Sequence, residues 1–312
     1  MAKRNQKMPR PNSPEWNAEV SFYLSAPAPA RGARAIELGF TDPTSYANVF
    51  RRQGIRVSIP QPTRKKFNRP PIIRESSLII FDTQIPFHDA PFLSNLLDLA
   101  MAWGIKQGIS GGDLLNMTSF SNFFEHPEDK IWAKEREIAI SVLKALTSAV
   151  PKWLLIMGNH ETFLLKKLAE QLGHEDILRL LDKPEGINAT DYYYCKVLLG
   201  GSTWRITHPR NISVIHSRIP QRLCDKFHCN LVSGHGHLAG LTPDYSGKYF
   251  ACDVGVTCDP ERLDYVALRD NIRPAQCRGG LILMESEGKC FPYHLYPSSD
   301  FSSLKHLYGV GK

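Results

Sequence analysis

Apolar side chains recur along the chain in two spacings, and each spacing predicts a different element. In DAPFLSNLLDLAMAWG (89–104), KIWAKEREIAISVLKAL (130–146) and ETFLLKKLAEQL (161–172) they return every three or four residues, as on one face of an α-helix. In SLIIFD (77–82) and KWLLIM (152–157) they form short unbroken runs, and YYYCKVLL (192–199), TWRIT (203–207), NLVSG (230–234) and YFACDVG (249–255) are similar in length and β-branched or aromatic content. Such runs predict buried strands. Strand and helix alternate to about residue 190, and fewer helices follow. That order predicts a layered α/β fold over residues 76–312. No internal repeat or low-complexity segment interrupts it.

The first quarter of the chain reads differently. Residues 1–20 predict a flexible basic arm, and APAPARG (26–32) breaks regular structure. Ala35, Leu38 and Phe40 then supply one apolar face, with Gly39 near a helix end. Thr41 or Asp42 caps a second helix with Pro43 in its first turn. Tyr46, Val49 and Phe50 form the buried face of that helix, leaving Thr44, Ser45, Asn48, Arg51 and Arg52 facing outward. A small helical module over 21–57 is the result. SIPQPTRKKFNRPPIIRE (58–75), with four prolines and five basic residues, predicts an extended linker.

Composition narrows the classes. With 312 residues, 42% hydrophobic and 22% charged, the chain fills a sizeable core, which excludes wholesale disorder, collagen and coiled coil. No run approaches the roughly 20 apolar residues of a membrane span, and the basic N-terminus lacks the apolar stretch of a secretory signal. Seven cysteines without a CxxC pair suit reduced thiols, so the expected location is the cytoplasm. Charge is unevenly placed: residues 1–75 hold 14 Lys/Arg against 5 Asp/Glu, and residues 76–312 hold 24 against 26. A basic appendage on a slightly acidic body predicts a polyanion partner.

The LGF…SY…VFRR text of the N-terminal module resembles the DNA-reading helix pair of arabinose-regulator-type domains. The resemblance covers about 25 residues. It implies a helix-turn-helix whose second helix enters the major groove with Thr44, Ser45 and Asn48, while Arg51, Arg52 and Arg56 meet phosphates. A helical hairpin that merely packs is the alternative.

Candidate chemistry gathers where strand signals end, at Asp82-Thr-Gln84, Gly112-Asp113, Gly158-Asn159-His160-Glu161, His208 and Gly234-His235-Gly-His237. Each cluster alone is weak, since a strand-end aspartate commonly caps a helix. Their order is specific. It resembles the calcineurin-like metallophosphoesterases (D-x-H, GD, GNH[DE], H, GHxH) across about residues 76–260, and GGDLLN…FF…NHE is similar to a branch common in phage and prophage genomes. The resemblance implies a four-layer α/β/β/α sandwich and two divalent cations, manganese first, with iron, zinc, magnesium or nickel as alternatives. It assigns Asp82, position 84 and His237 to one metal, Asn159, His208 and His235 to the other, and Asp113 to both. A hydroxide between the metals attacks in line, and His160 stabilises the phosphorus centre or protonates the leaving oxygen.

This chain departs from the pattern at Gln84, where the family has histidine. An amide oxygen is a poorer ligand for transition metals, so the first site is expected to be weaker or shifted toward manganese or magnesium. His88 is a possible substitute, with an ordinary loop histidine as the simpler reading. Asn116 replaces a supporting acid. His208, ending a strand-like run, is preferred over His216 as the lone ligand. Tyr192, Tyr193 and Tyr194, Cys224 and Cys229, and the charged helix near 128–144 read as structural, and Asp253 and Asp259 receive no role.

The expected activity is therefore metal-dependent phosphoester hydrolysis, as a phosphodiesterase or nuclease associated with DNA. Two other functions fit the same residues: a DNA-binding protein with a degenerate, non-catalytic metal domain, or a phosphomonoesterase or protein phosphatase with an N-terminal docking module. No membrane partner is expected, and the sequence carries no signal of oligomeric state.

Overall fold

A computed structural model describes residues 8–56, 69–120, 132–167, 173–263 and 276–308. The chain divides into two compact units, Met1–Lys66 and Phe67–Lys312. The expected linker core, residues 57–68, lies outside the described residues, as do residues 1–7 and the ends of two predicted helices at 130–131 and 168–172.

The first unit holds three helices, α1 (Pro14–Ser25), α2 (Ala28–Glu37) and α3 (Pro43–Arg52). Residues 14–20, expected within a flexible arm, are helical instead. Ser13 caps the amide of Trp16 at 3.1 Å and Pro14 occupies the first turn, so the start signal is local. What holds the helix is tertiary: Trp16 and Tyr23 stack on Phe50 at 5.4 and 4.1 Å between ring centroids. Ala35, Leu38, Phe40 and Tyr46 complete this core. Inside it, Glu19 accepts bonds from the Arg34 guanidinium (2.8 Å) and the Tyr46 hydroxyl (2.5 Å). A buried carboxylate is tolerated because both its oxygens are satisfied.

The second unit contains twelve strands among the described residues: β1 (Ile72–Ile73), β2 (Ser77–Ile80), β3 (Gln107–Ser110), β4 (Lys152–Ile156), β5 (Ile187–Thr190), β6 (Tyr194–Leu199), β7 (Ser202–Thr207), β8 (Asn230–Ser233), β9 (Ala239–Pro243), β10 (Phe250–Val254), β11 (Gly280–Ser286) and β12 (Lys289–Leu295). They form two six-stranded mixed sheets, ordered β1-β6-β7-β8-β10-β9 and β12-β11-β2-β3-β4-β5. β1 falls within the expected linker and pairs with β6, which ends the extended segment before residue 72.

Side chains alternate across these strands and so define the layers. Ile79, Phe81, Ile109, Leu281 and Leu283 meet Val197, Trp204, Ile206, Val232, Cys252 and Val254 between the sheets. On the other face of the second sheet, Leu78, Ile80, Leu155 and Ile282 pack under helices α4 (Ala90–Ala102), α5 (Trp132–Ala149), α6 (Glu161–Lys167) and α7 (His174–Leu180). On the outer face of the first sheet, helix α8 (Arg218–Phe227) seats Cys224 against Leu231 and Ala251. The result is the expected α/β/β/α order. A last short helix, α9 (Phe301–Leu304), packs Phe301 against Phe92 of α4. Among the described residues no helix is long and apolar enough to cross a membrane, and no cysteine forms a disulfide.

Candidate metal centre

Every cluster singled out in the large unit follows the C-terminal end of a strand: Asp82 after β2, Asp113 after β3, Asn159 and His160 after β4, His208 after β7, and His235 and His237 after β8. β2, β3 and β4 run parallel in one sheet, as do β7 and β8 in the other. Their ends therefore open on common edges, where α/β sheets gather ligands.

The backbone at this edge is unusual. Asp82 (φ 48°), Gln84 (45°), Asp113 (51°), His235 (67°) and His237 (56°) all adopt left-handed conformations. Each costs about 1 kcal/mol or more outside glycine, and such strain persists where surrounding contacts impose it. Here the contacts are visible. The Asp82 amide donates to the Gly112 carbonyl at 3.1 Å and the Gln84 amide to the Asp113 carbonyl at 3.0 Å. Glycine is required at two close approaches: a Cβ on Gly158 would overlap Asp113, and one on Gly234 would overlap Phe81.

Each aspartate is anchored by one oxygen. The His235 amide donates to Asp82 Oδ2 and the His160 amide to Asp113 Oδ1, both at 2.9 Å. The second oxygens, Asp82 Oδ1 and Asp113 Oδ2, are buried and have no hydrogen-bond partner among the described residues. They face imidazole nitrogens: His237 Nε2 lies 3.3 Å from Asp82 Oδ1, and His208 Nε2 lies 3.4 Å from Asp113 Oδ2. Asn159 Oδ1 is 3.1 Å from the same His208 nitrogen. Asp113, His208 and His235 together offer ligand atoms within 4.8 Å of one another. Two donors on one cation, each about 2.1 Å from it, stand about 3–3.5 Å apart. The donor set therefore fits divalent cations, and the two orphaned carboxylate oxygens are the positions such ions would satisfy.

Electrostatics agree with that fit. Burial opposes charge on Asp113, yet His208 and His160 hold its carboxyl below the usual range. Burial likewise works against a charged His208, but Asp113 prevails and raises it to about 9. His237 is raised by Asp82 in spite of burial, whereas His235 is lowered by burial and by its neighbour His208. A divalent cation bound beside Asp113 would take over the positive charge that His208 sets against it.

Gln84 is fully buried, and its terminal amide lies 3.4 Å from His237 Nε2. Rotating that amide by half a turn exchanges nitrogen for carbonyl oxygen, so the residue can offer a neutral donor there. His88 pairs its backbone with Cys258 in an isolated bridge. His216 is exposed and bonds the Ala239 carbonyl at 2.9 Å, while His208 is 5% exposed and sits against Asp113. His160 bonds the Asn116 carbonyl through Nδ1 at 2.8 Å and keeps Nε2 3.8 Å from Asp113 Oδ2. Asn116 thus contributes its backbone.

In the first unit, Thr44, Arg51, Arg52 and Arg56 are exposed. Ser45 is committed to the helix start, since its amide and hydroxyl both donate to Asp42. Asn48 accepts a bond from Arg51 at 3.4 Å.

Two residues matter more than the sequence reading implied. Glu161 is buried at the start of α6 and accepts the amides of Gly158 (2.8 Å), Leu115 (2.9 Å) and Asp113 (3.2 Å), tying the β3 and β4 turns together. Its position directly after Asn159-His160 was the available signal. Asp253 accepts the Ser217 amide and the Ser233 hydroxyl, each at 2.8 Å. Nothing in its local sequence marks that role.

No protein-family model and no curated protein matches the chain. Among solved structures it is similar to Vps29 from Cryptosporidium parvum, at 14% identity over 73% of this chain and 100% of that one, with a TM-score of 0.38. It is also similar to YfcE, a phosphoesterase from E. coli, at 16% identity over 71% and 98%, with a TM-score of 0.36. Vps29 from Entamoeba histolytica, solved with Zn, gives 12% identity over 71% and 98%, also at 0.36. Likeness at this level carries no chemistry, which rests on the side chains themselves.

Proposed function

We propose that the large unit is a metallophosphoesterase of the calcineurin-like kind and hydrolyses phosphodiesters, with DNA brought to it by the N-terminal unit. The observation that carries the reading is the pair of buried, donor-less carboxylate oxygens facing His208 and His237. Asp82, Gln84 and His237 would hold one cation, Asn159, His208 and His235 the other, and Asp113 both, with manganese the first choice. Bound there, two divalent ions supply Lewis acidity toward a phosphoryl oxygen and bring the pKa of a water down to about 7.

The chain's own groups do the rest. The backbone amides on Asp82 Oδ2 and Asp113 Oδ1 hold one oxygen of each carboxylate and leave the other to face an ion. With Nδ1–H committed to the Asn116 carbonyl, a protonated His160 presents Nε2–H to the leaving oxygen. The exposed cations Arg51, Arg52 and Arg56 support DNA association through phosphates, with Thr44 at the outward start of α3.

Metal analysis beside hydrolysis of bis-p-nitrophenyl and p-nitrophenyl phosphate in manganese tests the reading. Two metals per chain are expected, with preference for the diester. His160→Ala should retain metal and lower kcat by about 10²–10⁴-fold, while Asp113→Ala should lose both metal and turnover. No turnover with any divalent ion would overturn hydrolysis and leave a DNA-binding protein with a silent centre, the outcome Gln84 favours. Preference for the monoester without salt-sensitive DNA retention would instead indicate a phosphatase with a docking module.

A further inference from the structure

The loop between His208 and α8, residues 209–217, is fastened at both ends to ligand-bearing segments. It leaves His208 directly. It returns through His216, bonded to the Ala239 carbonyl at 2.9 Å, and Ser217, whose hydroxyl donates to the Gly240 carbonyl at 3.3 Å. Ala239 lies two residues beyond His237, so the loop borders the metal centre. Its tip exposes Ile212 (44%), Val214 (50%) and Ile215 (51%). Three branched aliphatics exposed within four residues form a patch, unlike a single surface leucine. Arg210 stands exposed beside them.

Helix α8 continues from the loop. Its apolar side is already covered, through Pro220 and Cys224. Arg218, Arg222 and Lys226 are exposed at intervals of four residues, which places them in one row rising about 6 Å per step. Among the described residues no ion pair engages Arg210, Arg218, Arg222 or Lys226. The acid adjacent in sequence is Asp225. Lys226 does contact the Phe227 ring, at 5.3 Å from its centroid.

We propose that loop 209–217 and the outward row of α8 form a polynucleotide-binding rim, on which the four cations take successive phosphates and the aliphatic tip presses against bases beside the scissile bond. A row of evenly spaced cations suits a polymer of regularly spaced charge better than a small phosphoester. Aliphatic wedges beside a charged track are a recurring way to unstack bases. An anionic membrane would also attract cations and isoleucines. Yet a helix meeting lipid presents its apolar face, and that face of α8 is spent on the sheet. The inference rests on the hydrolase reading for its substrate class, but the binding it asserts is separable from turnover.

The test uses the full chain carrying Arg51→Ala, Arg52→Ala and Arg56→Ala, which removes the cations proposed for the N-terminal unit. Binding of a fluorescent single-stranded oligonucleotide is followed by anisotropy in EDTA at several salt concentrations. Adding Arg218→Ala, Arg222→Ala and Lys226→Ala should weaken binding by roughly tenfold or more and flatten the logarithmic salt slope by about 2. Ile212→Ser with Ile215→Ser should weaken binding without changing that slope. In manganese, the loss of kcat/KM on the oligonucleotide should exceed that on bis-p-nitrophenyl phosphate by about tenfold. Unchanged affinity and slope would overturn the rim. So would binding to phosphatidylglycerol vesicles that the same α8 substitutions abolish while oligonucleotide affinity persists. A chain that binds through the rim but cleaves neither substrate would sustain the rim and sink the hydrolase reading alone.

Discussion

Asp253 is a carboxylate whose surroundings pull in opposite directions. Burial pushes its pKa up to about 6, against the Ser233 hydroxyl and Ser217 amide that favour the charged form. The folded chain therefore holds this proton to higher pH than the unfolded chain does. Its contribution to stability is complete below about pH 4 and fades as pH rises through about 6. Asp253→Asn, which stays neutral, should escape that loss. Denaturation in EDTA should show the variant gaining about 2 kcal/mol on the parent between about pH 4.5 and about pH 7.5, and a gap that stays constant would refute the assignment. The sequence marked Asp253 as a strand residue of no stated role. It sits between β8 and β9 in the sheet and accepts the Ser217 amide at the start of α8, a long-range fact that no local spacing encodes. Asp82 and Asp113 were legible for the opposite reason. Asp82 ends the apolar run SLIIF and Asp113 follows a glycine pair, and several such short motifs in one order leave little room for coincidence. The Gln84 exception was equally plain in the sequence, but only the structure sets its amide against His237.

Glu161 shows what elements add to residues. It opens α6, yet its three accepted amides come from the turn after β3 and the turn after β4. Two loops of the candidate centre are thereby fixed to one helix start. Burial, with Asp113 nearby, raises its pKa. Glu161→Gln keeps the shape but turns an NH₂ group toward at least one amide donor. Leaving a buried donor unpaired costs about 1–3 kcal/mol. The variant should lower the unfolding midpoint and weaken manganese retention together, read by denaturation and by metal titration. Full retention of metal in a destabilised protein would make Glu161 a packing residue only. β2, β8 and β10 were legible as short runs buried on both faces, and β4, β6 and β7 through their aliphatic, β-branched and aromatic content. β3 escaped notice because Gln107 and Gly108 interrupt its run, and Gly108 is there to clear the Trp153 ring on β4. The β11–β12 hairpin turns at Glu287-Gly288, both at positive φ as such turns require, and that signal went unread. α1 carries a local Ser13-Pro14 start, but the stacking on Phe50 that holds it is long-range.

The two units have separate cores, and the whole-molecule reading depends on that separation. Trp16, Tyr23, Tyr46 and Phe50 form the core of the first unit, while the residues of the candidate metal centre follow strands of the second. Phe50 is fully buried beneath stacked Trp16 and Tyr23 rings. Removing such a ring costs about 3–5 kcal/mol, a large part of what a unit of this size commands. Phe50→Ala should therefore unfold the first unit, seen as lost helical signal in circular dichroism. Duplex retention should fall by roughly tenfold, because a collapsed helix set no longer aligns Arg51, Arg52 and Arg56. Metal content and hydrolysis of bis-p-nitrophenyl phosphate should remain within about twofold, because every candidate ligand is carried by a strand end of the second unit. Loss of hydrolysis in step with the helical signal would mean the centre needs the N-terminal helices in order to form. The basic first quarter of the chain would then be needed for the centre to form, and the proposed delivery to DNA would fall.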